Sequence, residues 1–570
     1  MDVSTQLRPS SLTARPLASL SPPPSNTPPS SVPDDRFESS AALSAAFARI
    51  PAPASTVKAQ LLSDNLEAWN QRWKLVGKAQ SEINASYYTW DNDVFGRALL
   101  GHIFHKARQG VNVRLMVDAV GDPVGRRGMK AKWGGQDYLQ ELVALPNAQA
   151  KVYHPHYKKL LKALLHPTGL EGIAANHDKI LEVDGQSAIT GGRNIGHHYY
   201  IHPKDEPTAW RDVDIFLEGT ATASELRQAL TDEYNAPRLN HTVRPDLLGN
   251  WKKRDVELLG DFAMMDLWLK AQGSHDPQKL VEQALAQMRT LGVERKPNNQ
   301  EREHLLKSAQ ELVHHQELRG SYHQPSSPTL EVQTKVIDRV SAANSKEIDE
   351  MNATFLDLAK TASREIDIQS PYFVLTDPIL DALKDASDRG VKIRVATNTP
   401  SSSDSFFTQV FLLNDWKKIL ATIPNLELYG ATGERKHHGK AVVFDDQISV
   451  VGTYNLDLIS GHANGEVAAV INSRQFAAQL SDSIAADYAD PTLGYQQYQI
   501  ARNQQNEPID AAGRPVLDDS GRLSGEPLAV FGPEDHCTPE QLQPYDKRIK
   551  RWNWMRRNLP QLESLRRHEG

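Results

Sequence analysis

The chain has 570 residues and a formal charge of −7, with 24% of residues charged and 39% hydrophobic. That length exceeds one typical domain and points to two or three, and the acidic balance speaks against a protein that coats nucleic acid. The lone Cys537 excludes an intramolecular disulfide, and no apolar run approaches the roughly 20 residues that span a bilayer.

Residues 1–55 are rich in Ser and Pro ("SSLTARPLASLSPPPSNTPPSSVP") and poor in core-forming side chains. Such chain buries too little apolar area to offset its ordering entropy, so disorder is expected. The segment lacks the basic-then-apolar pattern of a cleaved secretory signal. It reads either as a spacer or as a non-cleaved export signal.

Residues 56–245 read as a first globular unit. "LLSDNLEAWNQRWKLVGKA" carries apolar residues at helical spacing, "EINASYYTW" reads as a strand, "FGRALLGHIFHKAR" as a helix and "GVNVRLMVD" as a strand. Strand, helix, strand predicts a parallel pair joined by a crossover helix. Tyr87, Tyr88 and Trp90 are either buried strand aromatics or the rim of a pocket. "DYLQELVALP" (Asp137–Pro146) is an amphipathic helix that core packing explains. Residues 246–330 are polar and helix-forming, above all 272–325, and read as a helical insertion.

The first unit then returns over residues 331–500: "REIDIQSPYF" is a strand, "DPILDALKDASDR" a helix, "GVKIRVATN" a strand. "RQGVNVRLMVD" and "DRGVKIRVATN" nearly superimpose, which implies an internal duplication about a pseudo-two-fold axis. Residues 501–570 are loop-like and end in a basic segment with eight Lys/Arg between Lys547 and Arg567, interleaved with Trp552 and Trp554. That composition suits an anionic membrane surface or a terminal helix docked by its tryptophans.

Each copy carries one polar motif. His177, Lys179 and Asp184, followed by Gly191-x-x-Asn194, are repeated as His438, Lys440 and Asp445, followed by Gly452-x-x-Asn455. His437 lies out of register. In a strand, residues i and i+2 share a face, so each histidine projects beside its lysine. The glycines allow a tight turn that brings an Asn to the same place. Two such clusters face to face place two His, two Lys and two Asn around one cationic hole rich in donors, which suits a phosphate. His197, His198, His314 and His315 carry no paired spacing and read as solvated or helix-surface histidines.

The paired motif resembles that of the phospholipase D superfamily. "GGRNIG", "WRDVD", "SPYF" and "TNTPSSSD" are similar to bacterial cardiolipin synthases and related phospholipases D, over roughly residues 60–235 and 330–480, and the closing "WMRRNLPQLESL" is similar to the tail of that group. The resemblance implies an α/β fold of two duplicated αβα sandwich domains. It implies a phosphohistidine intermediate, with His177 as nucleophile and His438 as acid and base. Lys179, Lys440, Asn194 and Asn455 are expected to hold the non-bridging oxygens. Asp184 and Asp445 complete the candidate catalytic set, as braces rather than contacts to phosphorus. Glu466 stands at the family position for the carboxylate that orients a histidine, and Asp212 in "WRDVD" is its first-half counterpart, with a solvated loop acid as the bland alternative.

No metal and no cofactor are called for, because the lysines supply the positive charge. The expected substrate is a glycerophospholipid, hydrolysed to phosphatidic acid, with cardiolipin-type phosphatidyl transfer as the near alternative. A metal-independent nuclease is a further alternative, which the net charge disfavours. A non-catalytic duplicate is disfavoured by two complete motifs. An anionic membrane is the expected partner, nucleic acid is not, and a monomer is consistent with the sequence. Bacterial cytoplasm or export without signal cleavage, soluble or peripheral to a membrane, is the expected location.

Overall fold

A computed structural model describes residues 40–121, 137–153, 174–236, 239–245, 253–293, 295–344, 346, 348–518 and 521–558. Residues 1–39 of the Ser/Pro-rich segment and 559–570 of the basic tail therefore lie outside the described residues.

The chain runs α1 (Ala41–Arg49), β1 (Ser55–Leu62), α2 (Asn65–Lys78), β2 (Glu82–Thr89), α3 (Val94–Arg108), β3 (Asn112–Gly121), α4 (Tyr138–Val143), β4 (Ala148–Tyr153), β5 (Ile180–Val183), β6 (Ser187–Gly191), β7 (Asp214–Glu218), α5 (Thr220–Tyr234) and β8 (His241–Thr242). Three helices follow: α6 (Asp255–Leu269), α7 (Pro277–Thr290) and α8 (Asn299–Leu312). Then come β9 (Leu330–Arg339), α9 (Met351–Thr361), β10 (Glu365–Gln369), α10 (Asp377–Asp388), β11 (Lys392–Asn398), α11 (Phe406–Thr422), β12 (Leu426–Ala431), β13 (Ala441–Phe444), β14 (Ile448–Gly452), α12 (Leu458–His462), β15 (Glu466–Asn472), α13 (Arg474–Ala489) and β16 (Tyr495–Gln497). The C-terminal part holds β17 (Gln499–Ile500), β18 (Ala529–Phe531) and α14 (Pro539–Asn558).

The fold is mixed α/β around one 16-stranded sheet. From the central β9–β1 pair the order outward is β7, β6, β5, β2, β3, β4, β8 on one side and β15, β14, β13, β10, β11, β12, β16 on the other. β2–β3 and β10–β11 are parallel, as the strand–helix–strand patterns predict. Both faces of the sheet are covered, and side-chain alternation divides the core between them. In β7, Phe216 packs into the cluster with α2, α3 and α6, whereas Ile215 and Leu217 join α5 and α13 on the other face. In β15, Ala468 and Val470 face α9 and α10, and Val467, Ala469 and Ile471 face α13.

Two expectations change. Residues 41–49, assigned to disordered chain, form α1, capped by Ser40, which accepts from the Leu43 amide. Leu43, Ala46 and Phe47 recur at helical spacing and are buried against α9, and Lys335 donates to the carbonyl of Ile50 (2.6 Å). A short apolar stripe is hidden when composition is averaged over a Pro-rich neighbourhood. Likewise, α6 opens the supposed insertion but is core: a Cβ on Gly101 of α3 would stand 2.0 Å from the Leu258 carbonyl oxygen, so the two helices cross at backbone distance. α7 and α8 follow as amphipathic helices, burying Leu280, Val281, Leu305 and Leu312. No helix among the described residues is long and apolar enough to cross a membrane.

Candidate active site

β5 lies between β2 and β6 and is antiparallel to both. The chain leading into β5, which carries His177 and Lys179, therefore meets the C-terminal ends of β2 and β6 and the start of β7. The same convergence occurs at the start of β13, with His438 and Lys440. Short parallel bridges join the segment leading into each motif strand to the segment leading into β15 or β7 of the other half. Asn176 pairs with Gly465, the His177 amide donating to the Gly465 carbonyl (3.0 Å), and Arg211 pairs with His437, the His438 amide donating to the Arg211 carbonyl (2.7 Å).

These bridges set each histidine against the carboxylate of the other half. His177 Nδ1 lies 3.0 Å from Glu466 Oε2, and His438 Nδ1 lies 2.6 Å from Asp212 Oδ2. Asp212 is thus a buried partner of an imidazole, not a solvated loop acid. Thr453 donates to Glu466 (2.5 Å). Gly192 occupies the corresponding place beside Asp212, where a Cβ would stand 1.9 Å from Oδ1. The motif glycines serve close approach as much as turning: a Cβ on Gly191, whose φ is +146°, would meet Asp214 Cα at 2.4 Å.

Lys179 Nζ donates to the His177 carbonyl (2.7 Å), and Lys440 Nζ to that of His438 (2.5 Å). Both ammonium groups are buried. Burial and then the charge of Lys440 bring Lys179 down to about 7, and burial brings Lys440 down to about 8 against the pull of Asp212. Burial pushes His177 below its ordinary value in spite of Glu466, and burial followed by Lys440 pushes His438 well below its own. Burial alone would raise Glu466, but His177 and Lys179 outweigh it and hold the carboxyl below its usual range. The site thus gathers two buried lysines and two imidazoles held below their ordinary values, each imidazole beside a carboxylate.

The other expected residues separate into groups. Asp184 and Asp445 are not brought to the pocket. They follow β5 and β13, whose four residues span roughly 13 Å at about 3.3 Å each. Asp184 accepts from the amides of Gln80, Ser81 and Glu82 at the start of β2, and Asp445 from those of Ser363, Arg364 and Glu365 at the start of β10. Asn194 accepts from the Thr89 amide and donates one of its two amide hydrogens to the Tyr199 hydroxyl. Asn455 is buried, and its Oδ1 has no partner among the described residues. His437 is buried and pushed by desolvation down to about 3.

Of the candidate rim aromatics, Tyr87 and Trp90 are core, whereas the Tyr88 ring stands 5.0 Å from His177, edge-on. Tyr199 and Trp210 flank His438 at 5.5 and 5.3 Å. Neither was legible from spacing, since Tyr199 lies in a loop without a second-half counterpart, although "WRDVD" held the signal for Trp210. In that stretch Trp210 and Asp212 address His438, while Asp214 binds the buried Arg72 and Arg193. His315 is buried against Phe95, and His197 and His198 are half-buried, so they depart from the solvated reading, which His314 keeps.

Residues 355–488 match the family model described as cardiolipin synthase, PLD-like domain. The chain is 25% identical over 410 residues to the probable cardiolipin synthase YwiE of Bacillus subtilis (strain 168), covering 72% of this chain and 61% of that protein. It is 24% identical over 442 residues to cardiolipin synthase C of Escherichia coli (strain K12), covering 74% and 82%. Among solved structures, the phosphatidylserine synthase of Haemophilus influenzae Rd KW20 shares the fold, with a TM-score of 0.50 at 13% identity, over 80% of this chain and 91% of that one.

Proposed function

The chain belongs to the phospholipase D superfamily, and from that premise we propose that it transfers the phosphatidyl group of a glycerophospholipid to an alcohol acceptor through a covalent phosphohistidine. The observation that carries this reading is the pair of imidazole–carboxylate contacts that cross between the halves beside two buried lysines. In this reading the halves are copies related by a two-fold axis, which the mirrored strand order and the matched bridges support.

His177 Nε2 attacks phosphorus while its Nδ1–H stays on Glu466. The P–O bond to the leaving alcohol breaks, and that oxygen takes a proton from His438 Nε2. The acceptor hydroxyl then gives its proton to His438, its oxygen bonds phosphorus, and the His177 N–P bond breaks. Protonation of His438 is coupled to substrate. Burial and then Lys440 oppose a charged imidazole, and an arriving phosphodiester anion offsets the lysine charge. Lys179, Lys440 and Asn455 hold the non-bridging oxygens, and losing one such donor costs roughly 2.7–4 kcal/mol of barrier. Asn194, Asp184 and Asp445 brace the frame.

Transfer is preferred to hydrolysis on two grounds. The histidines are buried between aromatic rings that keep bulk water away, and the relatives matched over most of this chain are named as synthases. The test is incubation with labelled phosphatidylglycerol, alone and with a primary alcohol. Cardiolipin or phosphatidyl-alcohol as the main product supports transfer. Phosphatidic acid alone in both arms returns the reading to hydrolysis, and unchanged lipid overturns both.

A further inference from the structure

Outside the phosphate pocket, the loop between β6 and β7 brings together side chains that no part of the phosphoryl chemistry uses. One nitrogen each of His197 and His198 and a carboxylate oxygen of Glu206 lie within 4.8 Å of one another. We propose that these residues form a binding site for a divalent transition ion of the zinc class, which pins the loop that walls His438.

The residue types choose the ion. Two imidazoles and one carboxylate match zinc and its neighbours rather than magnesium or calcium, which prefer oxygen ligands throughout. The geometry is close to what such an ion needs. At bond lengths of about 2.0–2.2 Å, ligand atoms on a tetrahedral ion stand roughly 3.3 Å apart, and His198 Nδ1 lies 3.8 Å from Glu206 Oε1. The three atoms lie within 4.8 Å of one another, so the site closes by movements of up to about 1.5 Å, and all three side chains are half-buried, so those movements disturb no core. His198 Nδ1 is a buried atom without a hydrogen-bond partner among the described residues.

A second carboxylate is already in place to orient one ligand. Asp93 Oδ2 accepts from the His197 amide (2.6 Å) and lies 3.1 Å from His197 Nδ1, while its Oδ1 caps α3 through the Gly96 amide. A carboxylate on one imidazole nitrogen fixes the tautomer and leaves the other nitrogen to the metal. Anchoring Asp93 to a helix cap makes that orientation rigid. Tyr199 follows the histidine pair directly. The His198 ring stacks on Trp210 (5.9 Å between centroids, 12° between planes), and the Trp210 amide donates to the His198 carbonyl (2.8 Å). An ion here ties the His197–His198 turn to Glu206 within the loop and so holds the two rings that flank His438.

The experiment uses the full chain with any affinity tag removed. Zinc is titrated against a chromophoric chelator, the metal retained after dialysis is measured by elemental analysis, and melting is followed with and without zinc. The expected result is one zinc per chain, a melting temperature that rises with zinc, and a dissociation constant at least about tenfold weaker in His198→Ala and in Glu206→Gln. Glu206→Gln is the safeguard against misfolding, since it keeps volume at a half-exposed position. No retained zinc in the natural chain overturns the proposal, as does equal binding by the natural chain and Glu206→Gln.

Discussion

His177 and Glu466 stand 289 residues apart in the chain and 3.0 Å apart in space. The reciprocal contact joins His438 to Asp212, so neither half holds a complete imidazole–carboxylate pair. Each needs the other for the carboxylate that holds its Nδ1.

The first prediction follows from that dependence. His177→Ala and His438→Ala are each expected to lower turnover by about 10³-fold or more, and the double variant is expected to be no worse than either, because groups acting as one unit are strongly non-additive. Steady-state rates on a short-chain phospholipid check this. Near-normal turnover in one single variant would show that the motifs work separately.

The carboxylates are predicted to couple across the halves. Glu466→Gln should lower kcat by roughly 10²–10⁴-fold, as expected when an imidazole loses the acceptor that sets its tautomer, and should add nothing to His177→Ala. Asp212→Asn should behave likewise with His438→Ala. Additivity within the crossed pairs, with coupling within each half instead, would contradict the crossed geometry.

A pH profile tests the lysines. Folded-state values brought down to about 7 and about 8 mean that Lys179 and Lys440 lose their charge as pH rises through that range. Below it both are cationic and bind the anion. kcat/KM, which reports the free enzyme, is therefore predicted to fall above about pH 7–8. The limb in kcat should sit higher, because bound phosphate restores the charge. A flat kcat/KM up to pH 9 would show that the ammonium groups are not depressed.

Phe47→Ala is predicted to cost about 3–5 kcal/mol, the range for a buried phenylalanine, because α1 packs it into the core cluster of α9 with Lys335 over its ring. Chemical denaturation measures it. An unchanged midpoint would mean that α1 contributes nothing, as composition alone suggested.

Membrane binding is predicted to depend on one face of α14. Tyr545 is buried with Val410 and Leu413, and Arg548 lies over the Phe406 ring at 4.1 Å, so that face docks on α11. Lys547, Lys550 and Arg551 are exposed. Changing these three to Gln should weaken binding to anionic vesicles by about 3 kcal/mol, roughly 10²-fold, with unchanged melting. Loss of stability without loss of vesicle binding would make the helix a structural brace only.

The sequence by itself determined the repeated strand–helix–strand elements and the residues of the paired motif. The repeated strand–helix–strand units and the paired His-x-Lys spacing are local patterns, because side-chain direction repeats within a few residues whatever the chain does later. Only the tertiary structure decided which carboxylate serves which histidine, since Glu466 is closer in sequence to His438 yet is paired with His177 by the Asn176–Gly465 bridge. It also decided that Asn194 donates to Tyr199, that Trp210 walls His438, and that His197, His198 and Glu206 gather in one place. Such relations depend on where separate strands end, and a distance between strand ends is a property of the packed sheet that no local spacing encodes.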